Sequence, residues 1–323
     1  LSGNNTFSGG LRIEQGILAT GSSQSLGTGS IRLGGSTLRI APTSSTVTVA
    51  NPVEITAGSI IESTGSAGLI LSGNLSSSGN LTKTGAQTLE LTGNNSAHTG
   101  DIFVNQGTLR ANGADRISSA STVHIASGAT LQAGGLTLGG LAGEGSLQLL
   151  DHLTFGANNE DTSFSGQISG GKNTTKVGDG TWTFGGTMQS SISRFEIQSG
   201  GVHLDGGQIL RRVQMGGSNT SFSGHGLVAG HFSTSLSALN ISVTATGDLT
   251  MGDASITFGV EFGGAGNNSS LAVGSHHLTL LSANSVILAS NTSIGSGGQI
   301  TAANGLTMNN GRTLHVTGNA AIN

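Results

Sequence analysis

The sequence predicts an all-β chain, a right-handed parallel β-helix (β-solenoid), from three observations. The chain copies itself: Ser72–Gly93 lies over Ser165–Gly186 without a gap, 93 residues further on, and shares Thr82/Thr175, Lys83/Lys176, Gly85/Gly178 and Thr88/Thr181. Self-similar short units mark an array in which each unit buries its apolar face against the next. Apolar and polar residues alternate with a period of two in pieces of four or five residues bounded by Gly, Asn or Ser, as half-buried strands require. Finally, no window carries the i, i+3, i+4, i+7 spacing of an amphipathic helix, and glycine interrupts each stretch where a helix could start, at about 1 kcal/mol per residue.

The strand segments follow in order: Ser30–Leu33, Thr37–Ile40, Thr46–Val49, Val53–Thr56, Thr88–Thr92, Thr122–Ala126, Thr181–Phe184, Gly201–Leu204 and Ser255–Phe258. They are too short and too closely spaced for the hairpins of a sandwich. The G-N-N, S-G-G and G-G-S links between them supply left-handed corners. At roughly 20–25 residues per coil the chain would hold about 13–16 coils, each advancing roughly 4.8 Å. Pro42 and Pro52 fall in links, where a ladder can spare a donor. A solenoid grows linearly, each unit touching its neighbours, so residues 1–323 are read as one elongated segment rather than two globules.

Composition narrows the function classes. Of 323 residues, 9% are charged, the net charge is −4, and the 12 Lys and Arg are scattered. Without a basic stripe to displace counterions, nucleic acid is not an expected partner. No run of about 18 apolar residues is present to cross a bilayer as a helix. The lack of cysteine suits a protein that crosses an envelope unfolded and equally suits many cytosolic proteins. The first residue, Leu1, lies inside a repeat, so the chain reads as a fragment of a longer polypeptide.

A second motif recurs: LSGNNTFSGGLRIEQGIL at Leu1–Leu18 returns as LTGNNSAHTGDIFVNQGTL at Leu91–Leu109. With FSGQISGGKNTTKVGDGTWTFGG at Phe164–Gly186 and LTKTGAQTLELTGNN at Leu81–Asn95, these strings resemble the passenger-associated repeat of bacterial autotransporters. Gly247–Leu281 is similar to a segment such passengers carry nearer their carboxyl end. In one copy Ala97-His98 stands where the pattern has an aromatic, supplied by Phe7 in the first copy. The resemblance implies a cell-surface or extracellular passenger of a Gram-negative-type bacterium, a translocator barrel elsewhere on the polypeptide, and coils that fold outside the membrane. It does not name a ligand, since fold does not imply function.

The candidate chemistry is sparse. Trp182 and Phe184 replace Leu89 and Leu91 of the earlier copy, so both should face the core rather than stack on sugars. His276 and His277 are adjacent and point to opposite faces, a poor chelate; His225 and His231 lie in glycine-flanked turns. Gly263-Gly264-Ala265-Gly266-Asn267 has an asparagine where a calcium-binding roll needs a carboxylate. Asp151, Glu160 and Asp161 near His152 are the densest acidic group and could serve a glycan-cleaving enzyme, but basic and aromatic side chains to hold the substrate are lacking. Asn4, Asn74, Asn80, Asn94, Asn240 and Asn291 suggest amide ladders along a corner. The stretch Thr187–Arg212, with Arg194, Arg211 and Arg212, departs most from the repeat and is the expected binding face.

The resulting expectation is a non-catalytic surface passenger, acting as adhesin or stalk, without cofactor or metal. Its partners would be host or bacterial surface glycans or proteins, with end-to-end or lateral self-association. The alternatives are a segment of a giant extracellular filament and a glycan-active β-helix enzyme.

Overall fold

The computed structural model describes residues 1–234, 240–252, 260–262, 270–282, 286–288, 291–302, 304–308, 314–316 and 321–323. The expected strand Ser255–Phe258 and the Gly263–Asn267 turn lie outside these residues. The chain divides into two compact units, Leu1–Asn158 and Asn159–Asn323, and each is a parallel β-solenoid.

In the first unit every coil contributes two or three short strands, each pairing in parallel with its counterpart one coil on. One face stacks Leu11–Ile13, Ile31–Gly34, Val53–Ala57 and Leu75–Ser76. A second runs from Thr37–Ile40 through Ser59–Ser63, Leu81–Thr84, Ile102–Val104 and Thr122–Ile125 to Gly140–Gly143. On the third face Leu69, Leu89, Leu109, Leu131 and Leu147 stand one above another, all buried. Alternation thus sends every second side chain into the lumen, and register brings like onto like. The coil length varies with the corners: Thr37 pairs with Ile60, but Thr130 pairs with Ser146 in a shorter turn.

The corners are closed by side chains whose oxygens take the backbone N–H of the next coil. Asn80 Oδ1 accepts from Asp101 N–H and Asp101 Oδ1 from Thr122 N–H, each at 3.0 Å. Asn74 Oδ1 does the same for Asn94 N–H. The expected amide-to-amide ladder occurs between Asn219 and Asn240 (2.8 Å) in the second unit. Elsewhere the backbone donor at a strand's entry, which has no ladder partner of its own, is the stronger claimant. Pro42 and Pro52 sit in corners and still offer their carbonyls, to Ser66 N–H and Ile31 N–H. The single helical element among the described residues is a 3₁₀ turn at Ser23–Leu26.

The second unit builds its first stack from Thr162–Phe164, Thr181–Phe184, Gly201–Ile209, Ser221–Val228 and Ser242–Gly252. The last three are long strands that bend through two faces, with register shifts between Asp205 and Gln208 and between Gly224 and Gly226. Glycine there makes a bulge inside a strand rather than a corner. The core is aromatic. Trp182 and Phe184, both fully buried, stack at 4.7 Å, and Phe164 and Phe195 close around Trp182 at 6.5 and 5.7 Å.

Charged residues on the first unit's outer faces meet in register across coils. Arg32 pairs with Glu54 (3.1 Å), Arg39 with Glu62 (2.6 Å) and Arg110 with Glu90 (3.6 Å). At partial exposure each contributes about 0–1 kcal/mol; a slipped register would separate the paired charges.

Candidate functional site

The residues picked from sequence as a binding face lie in the second unit, Arg194 on a strand and Arg211 and Arg212 in the link between strands Gly201–Ile209 and Val213–Met215. Positions 187–212 continue the coil through strands Thr187–Met188, Arg194–Ile197 and Gly201–Ile209. The Arg194 guanidinium is held by Glu196 (3.0 Å) and Gln214 (3.2 Å). Arg211 donates from Nε to the Ile192 carbonyl at 3.0 Å. Arg212 is exposed, and its carbonyl accepts from Phe195 N–H. Two of the three cations are therefore committed to neighbours.

The carboxylates are engaged too. Asp151 Oδ1 accepts from His152 N–H in the first unit, and Asp161 Oδ1 from Thr181 N–H at 2.6 Å in the second; both act as turn caps. His277 Nε2 lies 2.9 Å from Thr301 Oγ1, and His225 Nε2 lies 4.0 Å from Asp205. Among the described residues no group of three His, Cys, Asp or Glu is placed to hold a metal.

Three features of functional interest escaped the sequence reading. The first is the lysine of the T-K-x-G repeat. Lys83 stands in an inward column between Ile61 and Val104, and Lys176 precedes Ile197 in another; they are 0% and 1% exposed. Lys83 Nζ donates to the carbonyls of Thr84 (2.8 Å), Gly85 (2.6 Å) and, from the next coil, Gln106 (2.9 Å). Lys176 repeats this with Val177 (2.7 Å), Gly178 (2.9 Å) and Ser199 (3.3 Å). The following glycine, at φ 80° (Gly85) or 73° (Gly178), adopts the left-handed turn that aims these carbonyls at the ammonium. Burial pushes both amines down to about 8.

The second is His98, the residue in place of the repeat's aromatic. It is 1% exposed, and neither ring nitrogen makes a hydrogen bond of good geometry. Burial lowers its pKa, while the Ser76 and Ser77 backbone and the Asp101 carboxylate pull the other way. Below its unfolded pKa, about 6.5, the unfolded chain takes a proton that folded His98 resists. Stability present above pH 6.5 is therefore lost as the pH falls towards the folded value. Going from pH 7 to 5 is expected to loosen the coils around 95–121, seen as faster amide exchange there. His98→Phe should remove that acid sensitivity; unchanged sensitivity would show that His98 is not its source.

The third feature is a set of hollows on the first unit. Where the first-face strands lapse, a cleft of about 690 Å³ opens between apolar Ile117 and Leu136 and the polar Ser96, Asp115, Ser118 and His152. Two smaller hollows, of about 380 and 420 Å³, adjoin along Asn105 and Ser127.

The passenger-associated-transport-repeat family matches this chain at residues 1–19 and 81–111. The second match contains Lys83, Gly85 and His98 together with the strands that carry them. Over 117 residues, 35% of this chain, the sequence is 37% identical to the "Adhesin BmaC autotransporter" of Brucella suis biovar 1. The matched stretch is 3% of that relative's length. No solved structure matches. With parallel coils, two matches to the repeat, and an autotransporter adhesin as relative, the chain carries passenger-associated transport repeats and is similar to part of an autotransporter passenger.

Proposed function

We propose that this segment is an adhesive, non-catalytic part of its passenger, displayed at the surface of a Gram-negative bacterium and delivered by a translocator barrel on the same polypeptide. The observation that carries the reading is the repeat-built solenoid itself. Its side chains alternate between a closed core and an outer face of polar columns in register, the form of surface suited to many weak contacts in parallel. The engagement of Asp151 and Asp161 in turn capping supports the non-catalytic part of the reading. The kinship with a protein named as an adhesin supports adhesion.

The test is gain of function. Residues 1–323, placed in the passenger position of an unrelated autotransporter, should make a non-adherent bacterial host bind epithelial cells or their matrix, and should release no reducing sugar from glycan mixtures. Display without adhesion would remove the adhesive reading. Sugar release abolished by Asp151→Asn or Asp161→Asn would replace it with an enzyme.

A further inference from the structure

The outward positions of the first unit's strands are mostly polar, and Phe103 departs from that rule. Strand Ile102–Val104 buries Ile102 and Val104 and turns Phe103 outward, half-buried. The residue in register on the next coil is His124, and the two rings lie parallel, 4.5 Å apart and 8° from coplanar. This pair walls the smaller hollow together with Glu144. The adjoining hollow runs on past Asn105 and Ser127 to Gln106 and Gly128. A groove thus crosses successive coils, with a stacked ring pair at one end and amide, hydroxyl and carboxylate groups along it.

We propose that this groove is a binding subsite for a neutral glycan chain, with the C–H groups of one sugar ring against the Phe103–His124 pair and its hydroxyls on Asn105, Ser127, Gln106 and Glu144. The proposal rests on the adhesive reading and gives it a ligand class. Sugar hydroxyls both donate and accept, and so do amide and hydroxyl side chains; a few such groups beside an apolar wall are what concave sites use to orient a ligand. Gln106 Oε1 already accepts from Gly85 N–H at 3.2 Å, which leaves its amide nitrogen as donor. No lysine or arginine lines either hollow, and Asp101 lies 3.8 Å from His124. An acidic sugar would therefore meet negative charge at Asp101 and Glu144. A cationic peptide would suit those carboxylates but would face the amide donors, and a single ring pair is no cage for an ammonium.

The experiment is saturation-transfer NMR on the intact 323-residue chain with gluco-, manno- and galacto-configured neutral tetrasaccharides, beside oligogalacturonate and oligolysine. Transfer to the ring protons of at least one neutral tetrasaccharide is expected, with affinity at least tenfold weaker in Phe103→Ala and in the surface variant Asn105→Ala. The second variant keeps the result readable should Phe103→Ala disturb its coil. Overturning results are no transfer to any neutral tetrasaccharide, equal binding by both variants, or binding of oligolysine or oligogalacturonate in its place. In the adhesion assay, full adhesion by both variants would remove the groove and leave the adhesive reading. Tetrasaccharide binding without wild-type adhesion would remove the adhesive reading and leave the groove.

Discussion

Trp182→Ala is expected to destabilise the second unit by about 3–5 kcal/mol, the range for emptying a large aromatic site in a packed core. Trp182 is fully buried, stacked on Phe184 at 4.7 Å and met edge-on by Phe195 at 5.7 Å. Each such aromatic pair adds about 0.5–1.5 kcal/mol beyond area burial. It also sits in a column, with Thr162 below and Val202 above, so a cavity there loosens two coil contacts at once. Trp182→Phe should cost much less, because the stack is kept. Amide exchange in strands Thr181–Phe184 and Gly201–Ile209 is the readout. Protection unchanged in Trp182→Ala would mean that the ring is not a core element.

The repeat lysines are expected to show the second large effect. Lys83→Ala and Lys176→Ala each remove a buried ammonium from three carbonyls and leave a gap. A cost of about 3–5 kcal/mol follows, as when one partner of a buried charged group is deleted. Lys83→Met fills the space and removes the charge, so its cost should fall towards the ~1–3 kcal/mol of orphaned carbonyls. The pH dependence separates this reading from simple packing. The folded pKa, about 8, lies below the ordinary lysine value of 10.5. Between those values the unfolded chain holds protons that the folded chain has released, so stability rises with pH across the window. The limit is about 1.4 kcal/mol per pH unit for each lysine. The chain has no cysteine and no tyrosine, so little else titrates there. Wild-type urea midpoints should rise from pH 8 to 10, and the double Met variant should be flat. A fall in the wild type, or an equal rise in the double Met variant, would contradict the assignment.

Much of the fold was legible because alternation and turn chemistry agree with the global coil. Thr37–Ile40 and Thr181–Phe184 are strands at the bounds read from sequence, and the offset against Leu89 and Leu91 placed Trp182 and Phe184 in the core. The site was less legible, for reasons that can be named. Lys83 lies in the most recognisable part of the repeat, but a lysine is ordinarily a surface residue; its burial depends on carbonyls brought round by a glycine and by the next coil. In the apolar run Ile102-Phe103-Val104 nothing local says that the middle residue faces out, and its pairing with His124 depends on a register 21 residues long. Sequence neighbourhood alone puts Arg194 on a binding face, and one of its two partners, Gln214, comes from another coil. Glycines read as corners are inside a bent strand at Gly224 and Gly226, since a bulge and a corner need the same residue.

Cross-linking tests the stacking most directly. Glu90, Arg110 and Gln132 occupy successive rungs of one outward column, roughly 4.8 Å apart per coil, and the chain has no cysteine of its own. Glu90→Cys with Arg110→Cys should therefore oxidise rapidly to an intramolecular disulfide, whose Cα atoms need a separation of about 4.4–6.8 Å. Glu90→Cys with Gln132→Cys, two coils apart, should stay reduced under the same conditions. Failure of the first pair, or equally ready oxidation of the second, would mean that the coils do not lie in this register.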